Sequence, residues 1–321
     1  MVGHKIFAEG VIKDIKKYLS PDYADVECEV IEKRSNNGQL SVNIAFRQPE
    51  REIAPIIGIE PFYEAVCNGE PLESIMQVIA EMAEQTINTT FSIAPGEMNE
   101  YKEAENYLGV CLVNTKANRK QLKGVTCIKV EDLSLIPIIR VPLSEKGIYG
   151  SMKVTEELRE MWGVSVEQIF EQAWKNEEAP MLLGLNEAVL HTGDMRDLSA
   201  AQDLVDNDNG EKMYILTNRR RTDGAALIVC PGVMEKLNEL FPEGFFIIPS
   251  SIHETLIMPK GVEIQGLEMT PKKLGAMLRY SNQRYTEKME VLSDRIYEYD
   301  KDRGKIRSVP ESMEKERGME L

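Results

Sequence analysis

The residues best suited to chemistry crowd into PSSIHETLIMP, positions 249–259, where two serines, a histidine and a glutamate fall within five positions of a chain that has 3 histidines. Serine beside histidine suggests a nucleophile with its base, and His-Glu followed by a second histidine would suggest a zinc protease. An extended backbone allows the first pairing only in part. Ser251 and His253 then share a face, with Cα atoms roughly 6.6 Å apart. Glu254 points to the opposite face and cannot orient the ring as a triad requires. The flanks lack the G-x-S-x-G setting of a nucleophile elbow. The zinc motif fails because Ile257 stands where its second histidine belongs. Proline and two serines between apolar runs are turn chemistry, so the stretch reads as a hairpin bend. The alternative is a hydrolase in which Ser251 and His253 work with an acid brought in by the fold.

Asn218-Arg219-Arg220-Arg221 is a dense basic cluster in an acidic chain, in a turn before Thr222-Asp223-Gly224. Guanidinium forks so grouped hold phosphates or carboxylates, although charge runs also serve simply as solvated surface. Arg219, Arg220 and Arg221 are the candidate contacts for an anion or a partner. DLVDNDNGEK (203–212) has the composition of a calcium loop without its register. With Gly210 at the sixth position, Val205 and Leu216 fall where carboxylates are needed. There is no Walker loop, dinucleotide glycine fingerprint or paired-histidine motif, so no cofactor and no metal is expected. The five cysteines (28, 67, 111, 127 and 230) are odd in number and never spaced C-x-x-C. They read as reduced, structural thiols.

The elements that must position these groups follow from periodicity. Phe7, Val11, Ile15 and Tyr18 form one stripe of an N-terminal amphipathic helix, expected to dock on its own sheet. In VECEVIEKRSNNGQLSVNIAF, apolar residues alternate on either side of Asn37-Gly38, whose positive φ angles suit a hairpin turn. IAPIIGIE, apolar almost throughout, reads as a strand covered on both faces. Pro61 and Pro71 suit the first turns of two helices, the second carrying Leu72, Ile75, Met76, Ile79 and Met82 on one face. After the polar link APGEMNEYKE (94–103), GVCLVN and TCIKVEDLSLIPIIRV read as strands around a short helix at ANRKQL. Two helices broken at Gly163 follow, the second opened by a Ser165/Gln168 capping box and burying Val166, Ile169, Phe170, Ala173 and Trp174.

In the last third, KMYILTN and AALIVC are expected to pair across the basic turn. PGVMEKLNELF reads as a helix, FFIIP and ETLIMP as a hairpin, and Thr270-Pro271 as the start of a helix carrying Leu274, Met277, Leu278, Tyr285 and Met289. RIYEYDKDRGKIRSV closes as a hairpin. Hairpins joined by isolated helices imply an α+β fold with mostly antiparallel sheets packed with helices. The expected organisation is a helix–hairpin–strand–helix module over 1–94, an α+β module of hairpins and helices over 95–309, and a polar tail over 310–321.

With 321 residues, 42% apolar and 28% charged, the chain has the composition of an ordinary globular protein. A net charge of −15 discourages contact with phosphate backbones or anionic lipid. The helix after Gly163 offers Glu167, Gln168, Glu171, Gln172 and Glu177 where a recognition helix needs basic groups, so no nucleic-acid partner is expected. No stretch approaches the roughly 20 apolar residues that span a bilayer. The N-terminal residues lack the apolar core of a secretory signal. Cytoplasmic location and no membrane partner are the expectation.

YILTNRRRTDGAALIVCPGV (214–233), FFIIPSSIHETLIMP (245–259) and VLSDRIYEYD (291–300), with IGIEPFYEAVCNG (57–69) and MWGVSVEQIFEQAW (161–174), resemble a bacterial family, domain of unknown function 5688. Its members occur widely in anaerobic Gram-positive gut bacteria. The resemblance spans most of the chain up to Val309 and implies a cytosolic bacterial protein. It brings no catalytic residues to carry over. Taken together, the residues favour a non-enzymatic interaction or accessory protein, whose acidic surface or basic turn engages another protein. Hydrolysis through Ser251 and His253 and sensing of an anionic small ligand at 219–221 are the alternatives, and the oligomeric state stays open.

Overall fold

A computed structural model describes residues 2–49, 54, 56–88, 97–142, 149–191, 193–206 and 210–310. The chain folds as two compact units, residues 1–107 with 139–152, and residues 108–138 with 153–321. The sequence-level boundary at residue 94 lies outside the described residues, as does the tail from 311 onward.

In the first unit, α1 (Val2–Asp14) lies against a hairpin of β1 (Glu27–Arg34) and β2 (Leu40–Arg47), to which β3 (Ile56–Gly58) adds an antiparallel edge. The expected α1 stripe is the docked one. Val11 and Ile15 are buried with Val42, Ile44 and Phe46, and Phe7 and Tyr18 pack against them. Asn37 (φ 58°) and Gly38 (φ 69°) adopt the expected left-handed conformation, within a loop of residues 35–39 closed by the Ser35 N–H on the Gln39 carbonyl. Alternation does not describe β2, because Ser41, Asn43 and Ala45 are buried as well. Asn43 answers its burial by donating to the Ser41 carbonyl and hydroxyl.

Of the strand expected from IAPIIGIE, residues 53 and 55 lie outside the described residues, and β3 has Ile57 buried and Ile56 47% exposed. It is an edge strand, and it stops where α2 (Glu60–Cys67) begins with Pro61 in its first turn. Glu60 also turns back to accept the Val42 N–H. In α3 (Leu72–Asn88) the buried face is Ile75, Met76, Ile79, Ala80, Ala83 and Ile87, while Leu72 and Met82 are exposed. A brief α4 (Tyr101–Ala104) follows.

The second unit begins with β4 (Leu108–Asn114). β4 stands in the order β4-β6-β5 with β5 (Ile128–Val130) and the first part of β6 (Leu133–Pro142), whereas β6 from Ile139 onward and β7 (Tyr149–Lys153), which pairs with β6, belong to the first unit as far as Met152. The helix expected at ANRKQL is instead a succession of turns. The two expected helices are α5 (Glu156–Trp162) and α6 (Val166–Asn176), separated by Gly163 at φ 67°. The capping box is complete: Gln168 N–H donates to Ser165 Oγ, and Ser165 N–H donates to Gln168 Oε1.

The remaining strands are β8 (Pro180–Gly184), β9 (Arg196–Asp197), β10 (Tyr214–Asn218), β11 (Phe245–Ile248), β12 (Thr255–Pro259), a small β13 (Glu263–Ile264) and β14 (Leu267–Glu268) ribbon, and β15 (Tyr297–Asp300) with β16 (Lys305–Ser308). They are interleaved with α7 (Leu185–Leu190), α8 (Gln202–Asp206), α9 (Val233–Leu240) and α10 (Pro271–Arg284). Apart from the ribbon they make one antiparallel sheet ordered β16-β15-β11-β12-β10-β8-β9. The fold is α+β, with antiparallel sheets packed against helices.

AALIVC does not pair with KMYILTN. Both flanks of β10 are occupied, by β8 and β12, and residues 224–229 coil into a buried 3₁₀-helix. α10 ends at Arg284, earlier than the apolar periodicity suggests, with Tyr285 just beyond it 73% exposed, and within the helix Met277 is 52% exposed.

Candidate functional site

The two sequence candidates are one place. β10 and β12 pair up to Leu216 opposite Thr255, so the chain leaves β10 at Asn218 beside the point where it enters β12. The arginine turn and the 249–254 loop therefore meet at one end of the large sheet. Thr217 Oγ1 donates to the His253 carbonyl at 2.9 Å, and the Ala225 N–H donates to the Ile252 carbonyl at 3.3 Å. Gly224 makes this approach feasible. A Cβ there would stand 2.5 Å from Thr217 Oγ1 and 2.6 Å from the His253 carbonyl oxygen. Arg221 (φ 52°) and Asp223 (φ 57°) take left-handed conformations that curl the turn back on itself. Asn218 bridges it by donating to the Thr222 carbonyl and accepting the Thr222 N–H.

Residues 249–254 link β11 to β12, and their polar groups bond mostly to one another. The Ser251 N–H and the Ser250 hydroxyl both donate to the Glu254 carbonyl, and the His253 N–H donates to Ser251 Oγ at 3.0 Å. The ring of His253 faces away from that hydroxyl's bond. Its Nδ1 accepts the Asp223 N–H at 3.2 Å, which in the neutral ring leaves the proton on Nε2. Nε2 in turn lies 3.5 Å from Glu290 Oε1. The fold thus supplies an acid to His253, but neither ring nitrogen is bonded to Ser251. A serine–histidine couple needs an imidazole nitrogen on the hydroxyl. About a third of each side chain of the His253–Glu290 pair is exposed, 32% and 35%.

Glu290 is held by its own backbone, whose carbonyl accepts the Ile252 N–H at 2.9 Å. The segment after it is anchored by Asn282, which donates to the Ser293 carbonyl, and by Asp132, which accepts from the Ser293 and Tyr297 hydroxyls at 2.8 and 2.7 Å. Burial and the adjacent Asp132 charge push the Tyr297 phenol far above its ordinary range, so it stays a donor.

The three arginines part company. Arg220 turns inward, with Nη2 2.9 Å from Glu177 Oε2, and its backbone N–H donates to Glu178 Oε2. Glu177, with a side chain only 6% exposed, accepts the Val110 N–H on its other oxygen. Arg219 and Arg221 are exposed, and no carboxylate lies within ion-pair distance of either among the described residues. Asp197 is held below the usual carboxylate range chiefly by hydrogen bonds from Ser199, with a smaller contribution from the Arg219 charge.

Asp223, Glu290, Glu177, Glu178 and Gly224 complete the site, and none is marked by a motif. Gly224 alone carries a legible signal, as the glycine ending a polar turn. Glu177 and Glu178 come directly after α6 and Glu290 from a turn 36 residues beyond Glu254, and no local spacing announces them.

The family model fits nearly the whole of this arrangement, from residue 4 to residue 301. The chain belongs to the family of unknown function DUF5688. The DUF5688 match covers the arginine turn, the 249–254 loop and Glu290 alike. No curated protein and no solved structure matches the chain. Among the described residues, no group of three or more His, Cys, Asp or Glu side chains could hold a metal ion, and no helix is long and apolar enough to cross a membrane.

Proposed function

We propose that this DUF5688 protein is an accessory protein of the bacterial cytosol that holds another protein through its arginine turn. The observation that carries the reading is the division of labour within 219–221. Arg220 is tied to Glu177 and Glu178, while its two neighbours stand exposed without an ion pair among the described residues. A turn so anchored presents two guanidiniums at little ordering cost, which favours binding. The net charge of −15 favours an acidic patch on a protein over a polyphosphate chain, whose field the body of the molecule repels.

Affinity capture at low and moderate salt, with the native chain and with Arg219→Glu/Arg221→Glu, tests this. One stoichiometric partner is expected with the native chain, and roughly tenfold less of it with the double variant. Recovery of no stoichiometric partner at either salt, or capture indifferent to the variant, overturns the reading.

Hydrolysis is the second reading, and the acid that Glu290 brings to His253 favours it. Against it stand the bonds that engage Ser251 and the ring separately. A serine-directed fluorophosphonate that labels Ser251, and fails to label it in His253→Ala, would establish the hydrolase in place of the binding protein.

A further inference from the structure

A cavity of about 580 Å3 opens in the second unit, between β5, α6, the start of α9 and the β15–β16 turn. Sites for small molecules fall in the same range, about 300–1,000 Å3. Phe170 and Trp174, one turn apart on α6, supply aromatic walls, and Leu135, Ile228 and Met234 supply an apolar floor. Ile128 lines the cavity too and remains 40% exposed. The charges at the rim are unequally committed. Glu131 accepts the Ser308 hydroxyl at 2.8 Å, and burial and then the neighbouring Glu235 raise the Tyr299 phenol above its ordinary range. Lys129 and Lys305 are exposed, and among the described residues neither has a carboxylate within ion-pair distance. Two uncommitted cations beside an aromatic, apolar concavity complement a ligand with a flat body and an acidic end.

We propose that this cavity binds an aromatic monoanion, a carboxylate or sulfonate in chemical class, with its rings against Phe170 and Trp174 and its acid near Lys129 and Lys305. Cys230 in the wall is a neutral thiol. Its burial, and then the charges of Glu177 and Glu235, push it up to about 11, so it contributes an apolar contact and no competing anion. The site is separate from the arginine turn and stands without it.

Fluorescence titration with anilinonaphthalene sulfonate, and with phenylnaphthylamine as its uncharged counterpart, tests the proposal on the full chain. The expectation is saturable one-to-one binding of the sulfonate. Lys129→Gln/Lys305→Gln should weaken the sulfonate roughly tenfold and leave the neutral probe unchanged. Ile128→Trp, at the exposed mouth, should abolish both. The lysine variant alters only exposed side chains, so it remains informative if the tryptophan variant fails to fold. Absence of saturable binding, or sulfonate binding unchanged by the lysine variant, overturns the proposal.

Discussion

Arg220 and Arg219 differ by one position in the chain and by nearly everything a charge can experience. The guanidinium of Arg220 is paired with Glu177, whose carboxylate is almost wholly enclosed and also accepts the Val110 N–H. Truncating Arg220 therefore removes a paired cation from an enclosed negative charge. We expect Arg220→Ala to cost about 3 kcal/mol of stability, and Arg219→Ala or Arg221→Ala less than about 0.5 kcal/mol. Urea denaturation of the three variants checks this, and equal losses would mean that the turn is not anchored as described. The sequence offers three consecutive arginines with no ground for ranking them. The ranking comes from Glu177 and Glu178, just past the end of α6, which pair with only one of the three. His253 teaches the same lesson. Its ring nitrogens are met by Asp223 and Glu290, not by its sequence neighbours Ser251 and Glu254.

Elements were legible wherever local chemistry specifies them. Ser165 and Gln168 start α6, Gly163 ends α5, Asn37 and Gly38 turn the first hairpin, and Thr270 caps α10 by accepting the Lys273 N–H. α6 also supports the aromatic wall of the cavity and, at its end, the anchor of the arginine turn. Ser165→Ala removes one half of its cap and should destabilise the protein by about 1 kcal/mol. Guanidinium unfolding reads the loss, and no change in midpoint would show that tertiary contacts alone fix the helix start. Residues 224–229 illustrate where local reading fails. AALIVC has the composition of a strand, yet β10 has no free edge to offer it, and two left-handed residues in the preceding turn lead it out of the sheet.

On the scale of the whole molecule, a net charge of −15 dominates the electrostatics. Self-repulsion of that size opposes the compact state, and salt screens it over a Debye length of about 8 Å at physiological ionic strength. The exposed ion pairs, such as Lys5 with Glu32, contribute little that screening could remove. The midpoint of thermal unfolding should therefore rise by a few degrees between about 10 mM and about 200 mM sodium chloride. A midpoint that falls with salt would show that specific ion pairs, Arg220–Glu177 foremost, outweigh the general repulsion. The same charge bears on partners, since it sets Arg219, Arg221, Lys129 and Lys305 against a body of net negative charge.

The amino-acid order by itself determined the caps, the tight turns, the docked face of α1, the antiparallel α+β class and the family. Each depends on neighbours within a few positions, or on a pattern repeated along one segment. Tertiary structure alone decided which arginine is anchored, which acid meets His253, that the arginine turn adjoins the 249–254 loop, and that Trp174 faces a cavity. Those are contacts between segments tens of residues apart, and a side chain's chemistry there is set by whatever the sheet order carries to it.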